Sequence, residues 1–258
     1  MPRAKSRPTR TAGGNVERRA QTAAPGKRVR TGHQEAVPHV ATWHPELANY
    51  LMSPGELVPG RAIYNKTTNM RCSAGHFATT RDGKRLFLLT AGHCGKKGER
   101  FAYRDSSHQW IDFGEVVERA FSGEGTYGSA TGYDIAIIEV DNPRARWNSQ
   151  PPITGKVVGS ADLDYVAANG MGLCRIGSTD GLSCGNYVGQ MDGGFFEYGN
   201  QERPGDSGGA IYAVNSSGSL YAVGVASYSE RNAPVSSDNY AGGMEIFSTL
   251  HRFGLLVL

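Results

Sequence analysis

The chain has 258 residues, 39% of them hydrophobic, and a net charge of +3, which allows one large core or two smaller ones. No apolar run approaches the roughly 20 residues of a membrane span, and the N-terminus lacks the apolar stretch of about 7–15 residues that marks a signal peptide. Composition therefore reads as an ordinary soluble protein with no visible export address.

The charge is unevenly spread. Residues 1–30 hold nine of the 27 Lys and Arg against Glu17 alone, so this stretch carries +8 and the remainder −5. Basic, rich in Pro, Gly and Thr and almost without aliphatics, it reads as a solvated tail rather than an arm for nucleic acid or anionic lipid. Residues 31–60 add prolines, a weak helical patch at Glu46–Met52 and the histidines His33, His39 and His44. Without cysteines or carboxylates at ligand spacing these histidines read as solvated. The expectation is a disordered extension and linker over residues 1–57.

From Arg61 the texture changes to short β-branched or aromatic runs separated by Gly, Asn, Asp and Ser: "RAIYN", "GHFATT", "RLFLLTA", "EVVERA", "DIAIIEV", "GKVVGS", "AIYAV" and "SLYAVGVAS". Such spacing, with no helical periodicity between the runs, predicts an all-β antiparallel barrel or sandwich. Only the end, "STLHRFGLLVL", reads as a helix, with Leu250, Phe253, Leu255 and Leu258 as core contacts. Cys72, Cys94, Cys174 and Cys184 form two local pairs with no C-x-x-C, which argues against zinc. An even count fits two disulfides and an oxidising compartment, although four cysteines allow three connectivities and buried free thiols are the alternative.

The run Gly205-Asp206-Ser207-Gly208-Gly209 raises the question of chemistry. A serine hydroxyl attacks a carbonyl only when a base takes its proton and donors receive the oxyanion. The best-placed base is His93 in "LFLLTAGHCGK", directly after a buried apolar strand, where a bridge from Cys94 to Cys72 would limit its drift. A buried carboxylate to orient the imidazole is offered by Asp134 at the head of "DIAIIEV", costly there unless hydrogen-bonded. Taken singly, these would be a strand-end histidine and a strand-start aspartate. The G-x-S-x-G pattern also matches the nucleophile elbow of α/β-hydrolases, but there the acid and histidine follow the serine. Beyond Ser207 lie only His251 and a few acids, without alternating helices and strands.

The order His93, Asp134, Ser207, with "TAGHC", "YDIAIIEV" and "PGDSGGA", resembles the chymotrypsin-like serine proteases. "PGRAIYNKTTNMRCSAGHF" and "LCRIGSTDGLSCG" are similar to their bacterial streptogrisin and α-lytic protease branch, and the likeness covers about residues 58–258. It implies two six-stranded β-barrels, over 58–155 and 156–258 with the helix, and a secreted, monomeric serine endopeptidase acting on polypeptides. No cofactor, metal or membrane is implied, and no nucleic acid for the catalytic domain. Ser207 would be the nucleophile, His93 the base, Asp134 its orienting acid and the N–H groups of Gly205 and Ser207 the oxyanion hole. Ser227 matches the serine that supports the aspartate. Arg175, beside Cys174, matches the internal arginine that neutralises Asp206, in a loop held by a Cys174–Cys184 bridge. The substrate pocket falls on 199–203, 227–230 and 242–246, naming Tyr228, Ser229 and Met244. Met244 would shorten an apolar slot, whereas Glu202, Glu230 or Glu245 pointing inward would select Lys or Arg. The sequence lacks the disulfide that the family places beside this pocket, and the long pro-region of bacterial relatives, unless residues 1–57 are a remnant of it. A binding module using the basic arm, or an esterase with the same triad, are the competing functions.

Overall fold

The computed structural model describes residues 39–122, 132–229 and 236–258. His33, Glu230 and the basic head lie outside them. In chain order, strand β1 (Val40–His44) and helix α1 (Leu47–Met52) precede β2 (Ala62–Asn65), β3 (Arg71–Ser73), β4 (Phe77–Thr80), β5 (Leu86–Thr90), β6 (Arg100–Arg104), β7 (Trp110–Phe121) and β8 (Asp134–Val140). There follow β9 (Val157–Ser160), α2 (Leu163–Ala168), β10 (Gly172–Gly177), β11 (Gly181–Gln190), β12 (Phe195–Gly199), β13 (Ala210–Val214), β14 (Leu220–Ser229) and β15 (Tyr240–Glu245). Helix α3 (Phe247–Phe253) and β16 (Leu255–Val257) end the chain.

All eight apolar runs singled out above lie in strands, and the strands form two sheets. The second closes on itself in the order β11-β10-β13-β14-β15-β12, since β12 pairs back with β11. The first curls in the order β16-β4-β5-β8-β7-β6-β2-β3. Two six-stranded barrels were expected; one closed six-stranded barrel and one eight-stranded half-barrel are found, the chymotrypsin-like arrangement.

Two stretches differ from the sequence reading. Where a linker is expected, β1 pairs antiparallel with β11, Val40 opposite Gly185 and His44 opposite Leu182. The approach is tight, because a Cβ on Gly199 would stand 2.0 Å from the His39 carbonyl oxygen. At the C-terminus the expected helix stops at Phe253, because Gly254 takes the left-handed conformation (φ 63°) that ends helices. Leu255–Val257 then extend as β16 against β4, and Phe253 is exposed.

Apolar burial explains how the halves meet. Ile63, Phe77, Leu88, Phe101 and Ile138 fill the first sheet, while Leu173, Phe196, Ile211 and Val223 fill the second. A third cluster joins Leu89, Ile135 and Ile137 of the first to Val225 and Met244 of the second and Leu250 of α3. His76 is also buried at this seam, its Nε2 2.8 Å from the Gly224 carbonyl oxygen and its ring edge-on to Tyr212. Burial lowers its pKa from 6.5 to about 4.

Candidate active site

The strand β5 delivers a single 3₁₀ turn, Gly92–Cys94, against the paired β7 and β8. A Cβ at Gly92 would stand 2.6 Å from the Ala120 carbonyl oxygen, so only glycine lets the turn approach this closely. The next residue, His93, meets Asp134 at the head of β8. Its backbone N–H donates to Asp134 Oδ1 at 2.8 Å, and its Nδ1 lies 2.8 Å from Oδ2. Ser227 Oγ, from β14 of the other sheet, donates to the same Oδ2. Asp134 is 3% exposed, and these three hydrogen bonds offset the cost of burying its charge. A carboxylate only accepts, so Nδ1 carries the hydrogen and Nε2 of the neutral ring keeps the lone pair.

Cys72 and Cys94 are bonded, as are Cys174 and Cys184, the latter directly opposite each other on β10 and β11. The first bridge lies beside His93, its sulfurs and a ring nitrogen within 4.8 Å of one another. Among the described residues this is the one grouping with metal-ligand spacing, but disulfide sulfurs offer no thiolate to a metal. Cys94 Sγ is also 3.9 Å from the Ser207 carbonyl oxygen, so the bridge spans from the histidine to the serine turn.

That turn is held from both sides. Ser73 of β3 donates its N–H to the Ser207 carbonyl at 2.8 Å, and Gly208 donates to Ala226 of β14 at 2.7 Å. Gly205 and Gly208 have φ of 104° and 80°, which side chains disfavour. A Cβ at Gly208 would stand 1.9 Å from Thr90 Oγ1. Among the described residues, the N–H groups of Gly205 and Ser207 meet no acceptor.

Beneath the turn, Asp206 is fully buried. Its Oδ1 lies 3.0 Å from Arg175 Nη1 and accepts from the N–H groups of Thr179 (2.8 Å) and Asp180 (3.1 Å). The second guanidinium nitrogen, Nη2, donates to the Gln201 carbonyl. Burial pulls the Arg175 pKa down, but Asp206, followed by Glu202, outweighs it and holds the group above its ordinary value. Burial pushes the Asp206 carboxyl up against the pull of Arg175.

The expected pocket segments lie on or beside neighbouring strands, Tyr228 opposite Gly242 and Gly199 opposite Tyr240. Tyr228 and Ser229 are half-buried at the end of β14, the Tyr228 hydroxyl 3.0 Å from Met191 Sδ. Met244 is 2% exposed in the apolar seam, between Val225 and Phe195 on the neighbouring strands. Glu245 receives the Ser248 N–H at the start of α3. Glu202 is buried, 3.4 Å from Asn200 Nδ2, and burial pushes its carboxyl well above the usual range. Within 199–203, the Gln201 side chain makes bonds that its local sequence does not signal: it donates to the Ser236 carbonyl at 2.7 Å and accepts from Asn239 Nδ2 at 2.9 Å. A pair of amide hydrogen bonds thus joins the two segments between which the sequence lacks a disulfide.

The sequence model of the Trypsin family matches residues 62–244. Streptogrisin-C of Streptomyces griseus is 31% identical over 132 residues, taking in 50% of this chain and 24% of that protein. The chain therefore spans about a quarter of this curated relative. Among solved structures, the Nocardiopsis protease NAPase is similar with a TM-score of 0.58 at 22% identity, covering 79% of this chain and 99% of that one. Thermobifida fusca Protease A gives 0.54 at 24% identity, over 79% and 99%. At these identities the structural likeness establishes the fold.

Proposed function

Because the chain belongs to the trypsin family of serine proteases, we propose that it is a serine endopeptidase working through Ser207, His93 and Asp134. The observation that carries this reading is the buried Asp134 carboxylate, which takes both the Nδ1 and the backbone N–H of His93 at 2.8 Å. It fixes the tautomer whose Nε2 can accept a proton. Ser207 Oγ attacks the peptide carbonyl as Nε2 takes its hydrogen, and the oxyanion is received by the N–H groups of Gly205 and Ser207. The imidazolium, stabilised by Asp134, returns the proton to the departing amine, leaving an acyl-enzyme. Water then attacks the ester by the same route in reverse.

The Arg175–Asp206 pair supports this reading by anchoring the residue between the two oxyanion donors, and Ser227 by tying Asp134 to the second sheet. The acyl half of the substrate runs along the β14 edge at Tyr228 and Ser229. Two disulfides suit an oxidising, extracellular setting, and among the described residues no helix is long and apolar enough to cross a membrane.

The test is labelling with a serine-directed fluorophosphonate together with casein hydrolysis, on the parent and Ser207→Ala. The parent labels at Ser207 and cleaves, whereas Ser207→Ala loses labelling and on the order of 10⁶ in kcat. Casein cleavage by Ser207→Ala at a tenth of the parent rate would refute the assignment.

A further inference from the structure

The serine turn is flanked by three arginines, and their charges are not equally countered. Arg175 is paired with Asp206, and Arg203 is held bidentate by Asp180. Arg71, at the head of β3, has no carboxylate within 4.0 Å among the described residues. Glu202, the remaining acid of the turn, is turned to Asn200 and buried near Arg175.

The Arg71 guanidinium is nonetheless fixed. Its Nη2 donates to Thr179 Oγ1 at 2.8 Å and reaches the Pro204 carbonyl at 3.4 Å, while Nη1 lies 3.2 Å from Met52 Sδ. Its Nη2 and Nε stand 2.4 and 2.8 Å from where a Cβ on Gly205 would be. A half-buried, oriented cation therefore borders the residue whose N–H is assigned to the oxyanion.

Its side of the turn can also be specified. The turn lies between β14, bonded to Gly208, and β3, bonded to Ser207 through Ser73. If the acyl half of a substrate follows β14, the departing half passes over β3, beneath Arg71. We propose that Arg71 is a specificity-determining residue that recognises a substrate carboxylate, Asp or Glu, within the first two positions after the scissile bond. This rests on the peptidase reading above. A guanidinium suits the task because its planar fork bonds both oxygens of a carboxylate, and its charge persists at any working pH.

The experiment uses internally quenched peptides with one acyl half and Glu, Gln or Lys at each of the two positions after the cut. The ratio of kcat/KM for Glu over Gln is measured for the parent, Arg71→Met and Arg71→Glu, with fluorophosphonate labelling of Ser207 in parallel. The parent should prefer Glu on the order of tenfold, the scale of one charge-assisted hydrogen bond. Arg71→Met should bring the ratio near one, and Arg71→Glu should favour Lys. The parent's preference should also shrink as salt is raised from 20 mM to 0.5 M, a readout that needs no variant to fold. A parent ratio near one, or a preference indifferent to both salt and Arg71→Met while Ser207 still labels, overturns the role of Arg71 alone. Failure of Ser207 to label removes the peptidase reading and this inference with it.

Discussion

Acidification should loosen the seam between the two sheets at His76. The folded protein holds this imidazole near pKa 4 because it is buried, while the unfolded chain returns it to about 6.5. Between these values the unfolded state binds a proton that the folded state refuses, so stability falls as pH falls. At about 1.4 kcal/mol per pKa unit the full effect is about 3 kcal/mol, of which about 2 kcal/mol is lost between pH 7 and pH 5. For a chain of this size that amounts to about 4–8 °C in Tm. Other carboxylates and histidines titrate as well, so the assay compares the parent with His76→Gln by thermal unfolding between pH 7 and pH 5, both carrying Ser207→Ala to prevent self-digestion. The parent should lose the extra 4–8 °C. Parallel pH profiles for the two proteins would refute the argument.

Arg175→Ala strands Asp206 as an uncompensated buried charge. It should cost about 3–5 kcal/mol in urea unfolding and lower kcat/KM by loosening Gly205; unchanged stability would mean that Asp206 is neutralised by other groups. Deleting residues through His44 removes β1, including the Val40 N–H bond to the Ser237 carbonyl and the Trp43 Nε1 bond to the Asp180 carbonyl. With the ladder bonds to β11 this should cost on the order of 3 kcal/mol, and an unchanged urea midpoint would show that the strand rests on the sheet without supporting it.

The residues proposed to carry chemistry stand out in the sequence because their neighbours are constrained. His93 follows a glycine that only close backbone approach explains, and Ser207 is enclosed by glycines at positive φ. Asp134 opens a strand whose first five residues are all buried, which is why a charge there stood out in the sequence. β1 was not legible, because its burial does not alternate: three of its five residues are exposed. It is held by backbone bonds and by glycines opposite, which leave no apolar pattern in "VATWH". For β16, the leucines continued a helical spacing through Gly254, and the helix stop in that glycine was outweighed. Gln201 and Arg71 act through contacts distant in the chain, and neither residue type carries a local signature. Met244 reads as a pocket residue from the resemblance to the family, and its side chain is buried among the apolar residues of the seam.

The exchange of β1 and β16 has a consequence for how the molecule comes into being. Of the described strands, the first to be synthesised belongs to the later sheet and the last to the earlier one. During synthesis β1 therefore waits without a partner until β11 arrives, and β4 keeps an open edge until Leu255–Val257 are released. The sheet that begins first is thus completed last, after β15 has already completed the other. In the finished fold, the segment leading from β8 to β9 is not the only link between the halves. Each half holds a strand from the opposite end of the chain, so a cut in that segment would leave two pieces still interlocked.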